Sequence, residues 1–205
     1  MPKYKLINFP VRGRAELTRY MFAQAGVEYE DHRIEFANWP TLKPTMPTGT
    51  LPVLEIDGKR ISQSQAIARY VAREFNLAGD NNLEMAQNEQ VMETLIDIDT
   101  EIGPVLQEKD EAKKAKLRKS VFDEKIKTKL KYLENFLAAN GGEFFVGKKI
   151  MMADIALLAS FDNLRSFFSL DEPFKDFPKL AAHKDKVSKE PKIAAWIAKR
   201  PESPF

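Results

Sequence analysis

The sequence predicts an α/β domain over residues 1–77 followed by an all-α domain over residues 84–205. Three observations carry this reading. Strand and helix signals alternate up to about residue 75, and strand signals then nearly vanish. A turn-forming run, Asn76-Leu-Ala-Gly-Asp-Asn-Asn-Leu83, separates the two stretches and reads as a linker. Beyond it, apolar residues recur at three- and four-residue steps through several long segments.

The elements follow in order. Residues 3–9 alternate, with Tyr4, Leu6 and Asn8 on one face and Lys5, Ile7 and Phe9 on the other, the period of a strand. Pro10 ends it and Gly13 marks a turn. Arg14 to Ala25 reads as a helix with Leu17, Tyr20 and Met21 on successive turns, closed by Gly26. Val27 to Ile34 is a second strand. Asn38-Trp39-Pro40 starts a short helix or turn, because Asn caps and Pro suits a first turn. Pro52 has no N–H to donate and belongs at the start of a strand, which Val53 to Ile56 supplies. Asp57-Gly58 is a hairpin turn. Lys59 to Ile61 returns as an edge strand whose cations discourage pairing with other chains. Ser62-Gln63-Ser64 then offers N-cap hydroxyls to a helix with Ala66, Ile67, Tyr70 and Val71 at helical spacing. The order βαβ, then ββα, matches a thioredoxin-like domain.

In the second domain, Met85 to Gln107 reads as a long helix, which Gly103-Pro104 kinks or interrupts. Glu111 to Ala139 reads as another, with Phe122, Ile126, Leu130, Leu133 and Leu137 along one stripe and Gly141-Gly142 as its stop. The lysines between Lys113 and Lys131 lie mostly off that stripe, as a solvated face alternating with acids or as a polyanion patch. Asp154 to Phe168 is a more apolar, central helix, and residues 179–188 and 192–199 complete the domain.

The 205 residues carry 32 Lys and Arg against 30 Asp and Glu, a balance that points to neither nucleic acid nor a membrane as partner. The absence of cysteine excludes disulfides and a protein-thiol nucleophile, and fits a reducing compartment. No apolar run approaches the ~18–20 residues of a membrane span, and the N-terminus has no secretory h-region, so a soluble cytoplasmic protein is expected. His32 and His183 lack ligand-type spacing, and no metal site is expected.

The chemistry concentrates in residues 47–67. Backbone donors, the Gln63 amide and the hydroxyls of Ser62 and Ser64 converge at a helix N-terminus, which is a receptor for a carboxylate. The same residues also read as a capped helix after a hairpin, with no ligand.

The run Leu51-Pro52-Val53-Leu54, Asp57-Gly58, Gln63-Ser64 and Ile67-Ala68-Arg69-Tyr70 resembles the glutathione-binding half of glutathione transferases. It is most similar to the sigma class, which includes nematode and mollusc enzymes, S-crystallins and hematopoietic prostaglandin D synthase. Gly13-Arg14-Ala15-Glu16 and Pro191-Lys192-Ile193 with Trp196-Ile197 and Lys199-Arg200-Pro201 extend the resemblance to essentially the full chain. It implies glutathione as cosubstrate, a small hydrophobic electrophile as second substrate, and a homodimer. It implies a cis Pro52, with Gly49, Thr50 and Leu51 in the loop whose backbone pairs with the cysteinyl part of glutathione. Gln63 and Ser64 would hold the γ-glutamyl carboxylate, and Trp39 and Lys43 the glycyl carboxylate. Asp97 would reach the γ-glutamyl amine of a partner subunit, although a solvated helix aspartate reads equally well. Arg14 would stabilise the thiolate; locally it reads also as an ion pair with Glu16 or with an acid of the helical domain. The second-substrate pocket would lie near Phe9, Arg12, Gly13, Gly103, Pro104 and Phe205.

Two departures stand out. Family members carry a hydroxyl residue three positions before the aspartate matched by Asp154, where this chain has Met151; a capping hydroxyl contributes about 1 kcal/mol, so folding is expected to be somewhat weakened while Asp154 still accepts from first-turn amides. Sigma-class enzymes also carry a tyrosine near the end of the first strand, whose hydroxyl donates to the thiolate. Here that position is Asn8, a weaker donor of shorter reach, and Tyr4 lies about 13 Å away along an extended strand. The expected activity is therefore that of a glutathione transferase acting on electrophilic carbons or peroxides, with isomerisation of prostaglandin H2 to D2 as a special case. The alternative is a glutathione-fold binding or structural protein with little chemistry.

Overall fold

The computed structural model describes residues 2–203; Phe205 lies outside them. Four strands form one sheet: β1 Tyr4–Asn8, β2 Glu30–Arg33, β3 Val53–Ile56 and β4 Lys59–Ser62, in the order β2-β1-β3-β4. β1 runs parallel to β2 and antiparallel to β3, and β4 is the outer antiparallel strand of the hairpin. Asp57 and Gly58 both take positive φ, as the tight hairpin requires.

Between β1 and β2 lies α1 (Glu16–Ala25), entered through a 3-10 turn at Gly13–Ala15 and closed by Gly26 at φ 71. The short helix α2 (Trp39–Leu42) carries Pro40 in its first turn, but Asn38 makes no side-chain cap. A 3-10 turn over Phe36–Asn38 leads into α2 instead, so the chain is already coiled before the position where a cap would act. After β4 comes α3 (Ser64–Glu74). Tyr4, on one face of β1, packs on Phe22 of α1 at 5.4 Å and on Phe75 beyond α3 at 5.7 Å. The opposite face buries Ile7, Ile34, Met46 and Val53, against which Trp39, Leu42 and Leu51 pack.

The helical stretch comprises α4 (Asn82–Thr100), α5 (Ile102–Gln107), α6 (Glu111–Val121), α7 (Lys127–Ala139), α8 (Met152–Phe168), α9 (Pro178–Ser188) and α10 (Pro191–Lys199). The chain divides into two compact units, one formed by residues up to Leu77 together with those from Glu190 onward, the other by Ala78–Lys189. The boundary near residue 77 coincides with the linker, whereas α10, expected in the helical domain, packs with α1. This helix buries Ile193 and Trp196, and Trp196 Nε1 and Arg200 Nη1 both donate to Glu16 of α1, at 2.9 and 3.0 Å.

The continuous helix expected over 111–139 carries a π turn at Phe122–Ile126. Val121 and Ile126 are both buried, five positions apart, so one extra residue must be wound in to keep both on the core face. Phe122, expected on the buried stripe, is only half-buried. The lysines of this stretch pair with acids: Lys119 and Lys127 with Asp123, Lys125 with Glu101, Lys129 with Asp97. Among the described residues, no helix is long and apolar enough to cross a membrane.

At the start of α8, Asp154 is fully buried. It accepts from Met151 N at 2.8 Å and Phe145 N at 2.9 Å, and bonds His183 Nε2 at 2.8 Å. These partners differ from the first-turn amides expected: the carboxylate turns back to the cap residue and the preceding loop. Asn88 joins the same end, accepting from Ala153 N at 2.8 Å and donating to the Ala78 carbonyl at 2.9 Å.

Candidate functional site

The sheet register assembles the site. Ile7 lies opposite Val53, and Val53 opposite Ser62. The residues that follow Ile7 and Ser62 and precede Val53 therefore meet at one end of the sheet: Asn8 and Phe9, Leu51 and Pro52, Gln63 and Ser64. The N-termini of α1 and α3 open at this end, where helix dipoles and unpaired N–H groups favour an anion.

Asn8 is 5% exposed. Its backbone carbonyl accepts from Ile34 N at 2.8 Å. Phe9 stacks on Phe36 at 4.6 Å and meets Trp39 edge-on at 5.3 Å. Trp39 is thus half-buried packing for the sheet, and it stands beside the strand end that carries Asn8. Gly49 takes φ +62, and the stem of Lys43 lies over it, with Cε 3.7 Å from where a Cβ would sit. Lys43 itself is exposed. Thr48 and Thr50 share a hydroxyl hydrogen bond of 2.7 Å, and the Leu51–Pro52 peptide is cis.

The serine hydroxyls do not cap α3. Gln63 occupies the N-cap position at φ 74, ψ 113, no side chain caps the helix, and Ser62 Oγ is buried without a partner. A non-glycine residue in such a region stores about 1–3 kcal/mol of strain. The Gln63 side chain is exposed, and the first-turn N–H groups remain available to an external acceptor.

Arg14 is exposed on the 3-10 turn and makes no ion pair among the described residues. Its expected alternative partner, Glu16, is taken instead by Arg19 at 3.0 Å, by Trp196 and by Arg200. Arg19 is entirely buried, and nothing in the local sequence marks it as part of the site; its contacts with the Val11 and Arg12 carbonyls, at 2.8 and 3.3 Å, become visible only in the fold.

Tyr4 lies at the far end of β1 on the face of Asn8, and burial followed by its hydrogen bond with Tyr70 holds its phenol well above the ordinary range. A cavity of about 1100 Å³ opens at that far end, lined by Lys3, Tyr4, Glu28, Tyr29, Asp57 and Phe75, remote from the residues above. The remaining expected site residues divide between the units. Arg12 and Gly13 belong to the first, with Phe9. Asp97, exposed on α4 and paired with Lys129 at 3.2 Å, belongs to the second, as do Gly103 and Pro104 of α5. Of the histidines, His32 meets Glu30 at 3.2 Å and His183 is buried on Asp154.

Comparison with known proteins gives these geometries a context. The family model for the glutathione S-transferase N-terminal domain matches residues 2–73, and that for the C-terminal domain matches residues 96–200. The chain is 43% identical over 203 residues to hematopoietic prostaglandin D synthase of Gallus gallus, covering 99% of each. It is 41% identical over 209 residues to S-crystallin SL11 of Nototodarus sloanii, covering 100% of each. A solved monomeric glutathione S-transferase from the hookworm Necator americanus superposes with a TM-score of 0.86 at 35% identity, covering 99% of this chain and all of that one. The family models match both halves of the chain and the relatives cover 99–100% of it: this protein belongs to the glutathione S-transferase family.

Proposed function

We propose that this chain is a glutathione transferase that holds glutathione at one end of its mixed sheet and directs the thiolate at small electrophilic or peroxidic substrates. The observation that carries the reading is the start of α3, where Gln63 is held in a strained conformation with its side chain exposed and no side chain caps the helix. Strain and unused donors at one point are what an anion-binding site needs and a merely structural helix start does not. Gln63 and Ser64 take the γ-glutamyl carboxylate. Lys43, with the Trp39 indole N–H, takes the glycyl carboxylate, and Gly49, Thr50 and Leu51 before Pro52 supply the extended backbone between them.

The thiol loses its proton to solvent, and the sulfur is stabilised as thiolate by the Arg14 charge and by the N–H groups at the start of α1. The sulfur then forms a bond to the electrophilic atom while the leaving group departs with its electron pair. Asn8 adds at most a weak hydrogen bond. Calorimetry on a Gln63→Ala, Ser64→Ala variant tests the carboxylate assignment. Losing one or two bonds to a charged group weakens binding about tenfold or more. Unchanged affinity would remove these residues from the site.

A second reading, a binding or structural protein with little catalysis, draws support from Asn8 itself, since the amide is buried at the position where a phenol is needed. A panel of electrophiles assayed with and without glutathione separates the two readings. Glutathione-dependent turnover supports the first, and binding without turnover the second.

A further inference from the structure

We propose that the C-terminal segment of the first unit, from Trp196 to Ser203, fixes the loop between β1 and α1 and thereby sets the position of Arg14; the proposal rests on the thiolate role given to Arg14 above. The loop runs from Phe9 to Arg14 and contains Pro10 and Gly13, so it has few backbone hydrogen bonds of its own. Two anchors replace them. The first is Arg19, 0% exposed, whose Nη1 donates to the carbonyls of Val11 at 2.8 Å and Arg12 at 3.3 Å. Arg19 is oriented by Asp31 at 3.0 Å and by Glu16 at 3.0 Å, and Glu16, 2% exposed, is oriented in turn by Trp196 Nε1 and Arg200 Nη1. The second is Ser203, whose hydroxyl accepts from Arg12 N at 3.3 Å and whose carbonyl accepts from the Arg12 guanidinium at 3.3 Å.

The Arg12 peptide is therefore held on both sides, its N–H by Ser203 and its carbonyl by Arg19. Two residues on, Arg14 is followed by the buried Ala15 and Glu16. The backbone of Arg14 is clamped on each flank while its side chain stays exposed and unpaired among the described residues. Stability alone does not call for such an arrangement, because buried ion pairs are often no better than apolar residues of the same volume. What the network does specify is the geometry of one loop, through contacts with residues 180 to 191 positions away. Arg19, Glu16, Arg200 and Ser203 are thus positioning residues for the thiolate.

The test uses the full chain with Arg200→Gln and with Ser203→Ala, the latter a mild change that leaves the buried network intact. Three readouts are taken: the thiol pKa of bound glutathione from thiolate absorbance against pH, glutathione affinity by calorimetry, and hydrogen exchange at Gly13 and Arg14. Removing one anchoring bond of ordinary strength raises the thiol pKa enough to lower neutral-pH turnover about three- to tenfold, with affinity held within about twofold and exchange of the two amides accelerated. In an Arg14→Ala background, adding Ser203→Ala produces no further change in the thiol pKa. If Arg14→Ala raises the pKa and neither anchor variant does, the positioning role is wrong and the role of Arg14 stands. If the anchor variants raise it and Arg14→Ala does not, the loop sets the thiolate through another group and the reading of Arg14 falls. Anchor variants that lower only the melting temperature overturn the proposal.

Discussion

Under the proposed function, the buried Asn8 stands where a stronger donor to the thiolate would raise the rate. A hydrogen bond to a charged group is worth about 1.5–3 kcal/mol, or roughly one to two pKa units of thiol acidity. Asn8→Tyr is expected to lower the pKa of the bound thiol by that amount and to raise turnover at neutral pH. Asn8→Ala costs little if the amide is a spacer and about tenfold if it is the donor. Steady-state rates on both variants decide between these roles. Gln63 offers a second prediction, because its strain and its proposed binding role oppose each other. Glycine lacks the Cβ that adds to the cost of φ 74, ψ 113, so Gln63→Gly should relieve part of that strain in the free protein while weakening glutathione binding about tenfold. Thermal unfolding and calorimetry read the two effects, and a variant that loses stability contradicts the strain argument. The contiguous run 47–67 made the candidate site legible in the sequence as a proposal, since loop, hairpin and helix start lie side by side along the chain. The conformation of Gln63 was not legible, because serines on both sides of it suggested a hydroxyl cap that the fold does not use.

At the scale of elements, α8 depends on Asp154. Removing this buried carboxylate strands two backbone N–H groups and the ring of His183, so Asp154→Ala should cost about 3–5 kcal/mol, measured by denaturant unfolding. The α6–π–α7 stretch holds a pH-dependent tie. Hydrogen bonds from Lys119, and then Lys127, hold the Asp123 carboxyl below its ordinary range. A depressed carboxylate contributes stability above its unfolded pKa and loses that contribution as pH falls through the folded one. Asp123→Asn should therefore lower the unfolding midpoint slightly at neutral pH and match the wild type once Asp123 is protonated, with salt shrinking the difference. A difference that persists in acid rules out this pairing as its source. Periodicity located nearly every helix, because an apolar stripe is a local property. It did not show the π turn, since a five-residue step between Val121 and Ile126 is hidden among other apolar positions. Nor did it place α10 with the first unit, because Trp196 and Arg200 meet Glu16 across 180 and 184 positions of sequence.

At the scale of the whole molecule, the proposed glutathione site takes Asp97 from a partner subunit. Asp97 is exposed on α4, and its Oδ2 is paired with Lys129 in its own chain, which leaves Oδ1 to serve a partner's glutathione. We predict a homodimer by light scattering at micromolar concentration, with Asp97→Ala weakening glutathione binding. The hookworm relative described as monomeric shows that the family fold does not demand a dimer, and a monomer binding glutathione at full affinity contradicts the shared site. The fold class and the linker were legible from the change in periodicity near residue 77, whereas assembly was not, because an exposed aspartate reads alike in solvent and at an interface. The proposed function requires the chain to ionise glutathione without a tyrosine at the end of its first strand, where Asn8 stands. The measurement that tests it most directly is the thiolate absorbance of the wild-type glutathione complex across pH, beside that of Asn8→Tyr. The wild-type thiol pKa is expected above that of the variant, with turnover that rises toward alkaline pH; a wild-type pKa equal to or below that of Asn8→Tyr rules out the weakened thiolate.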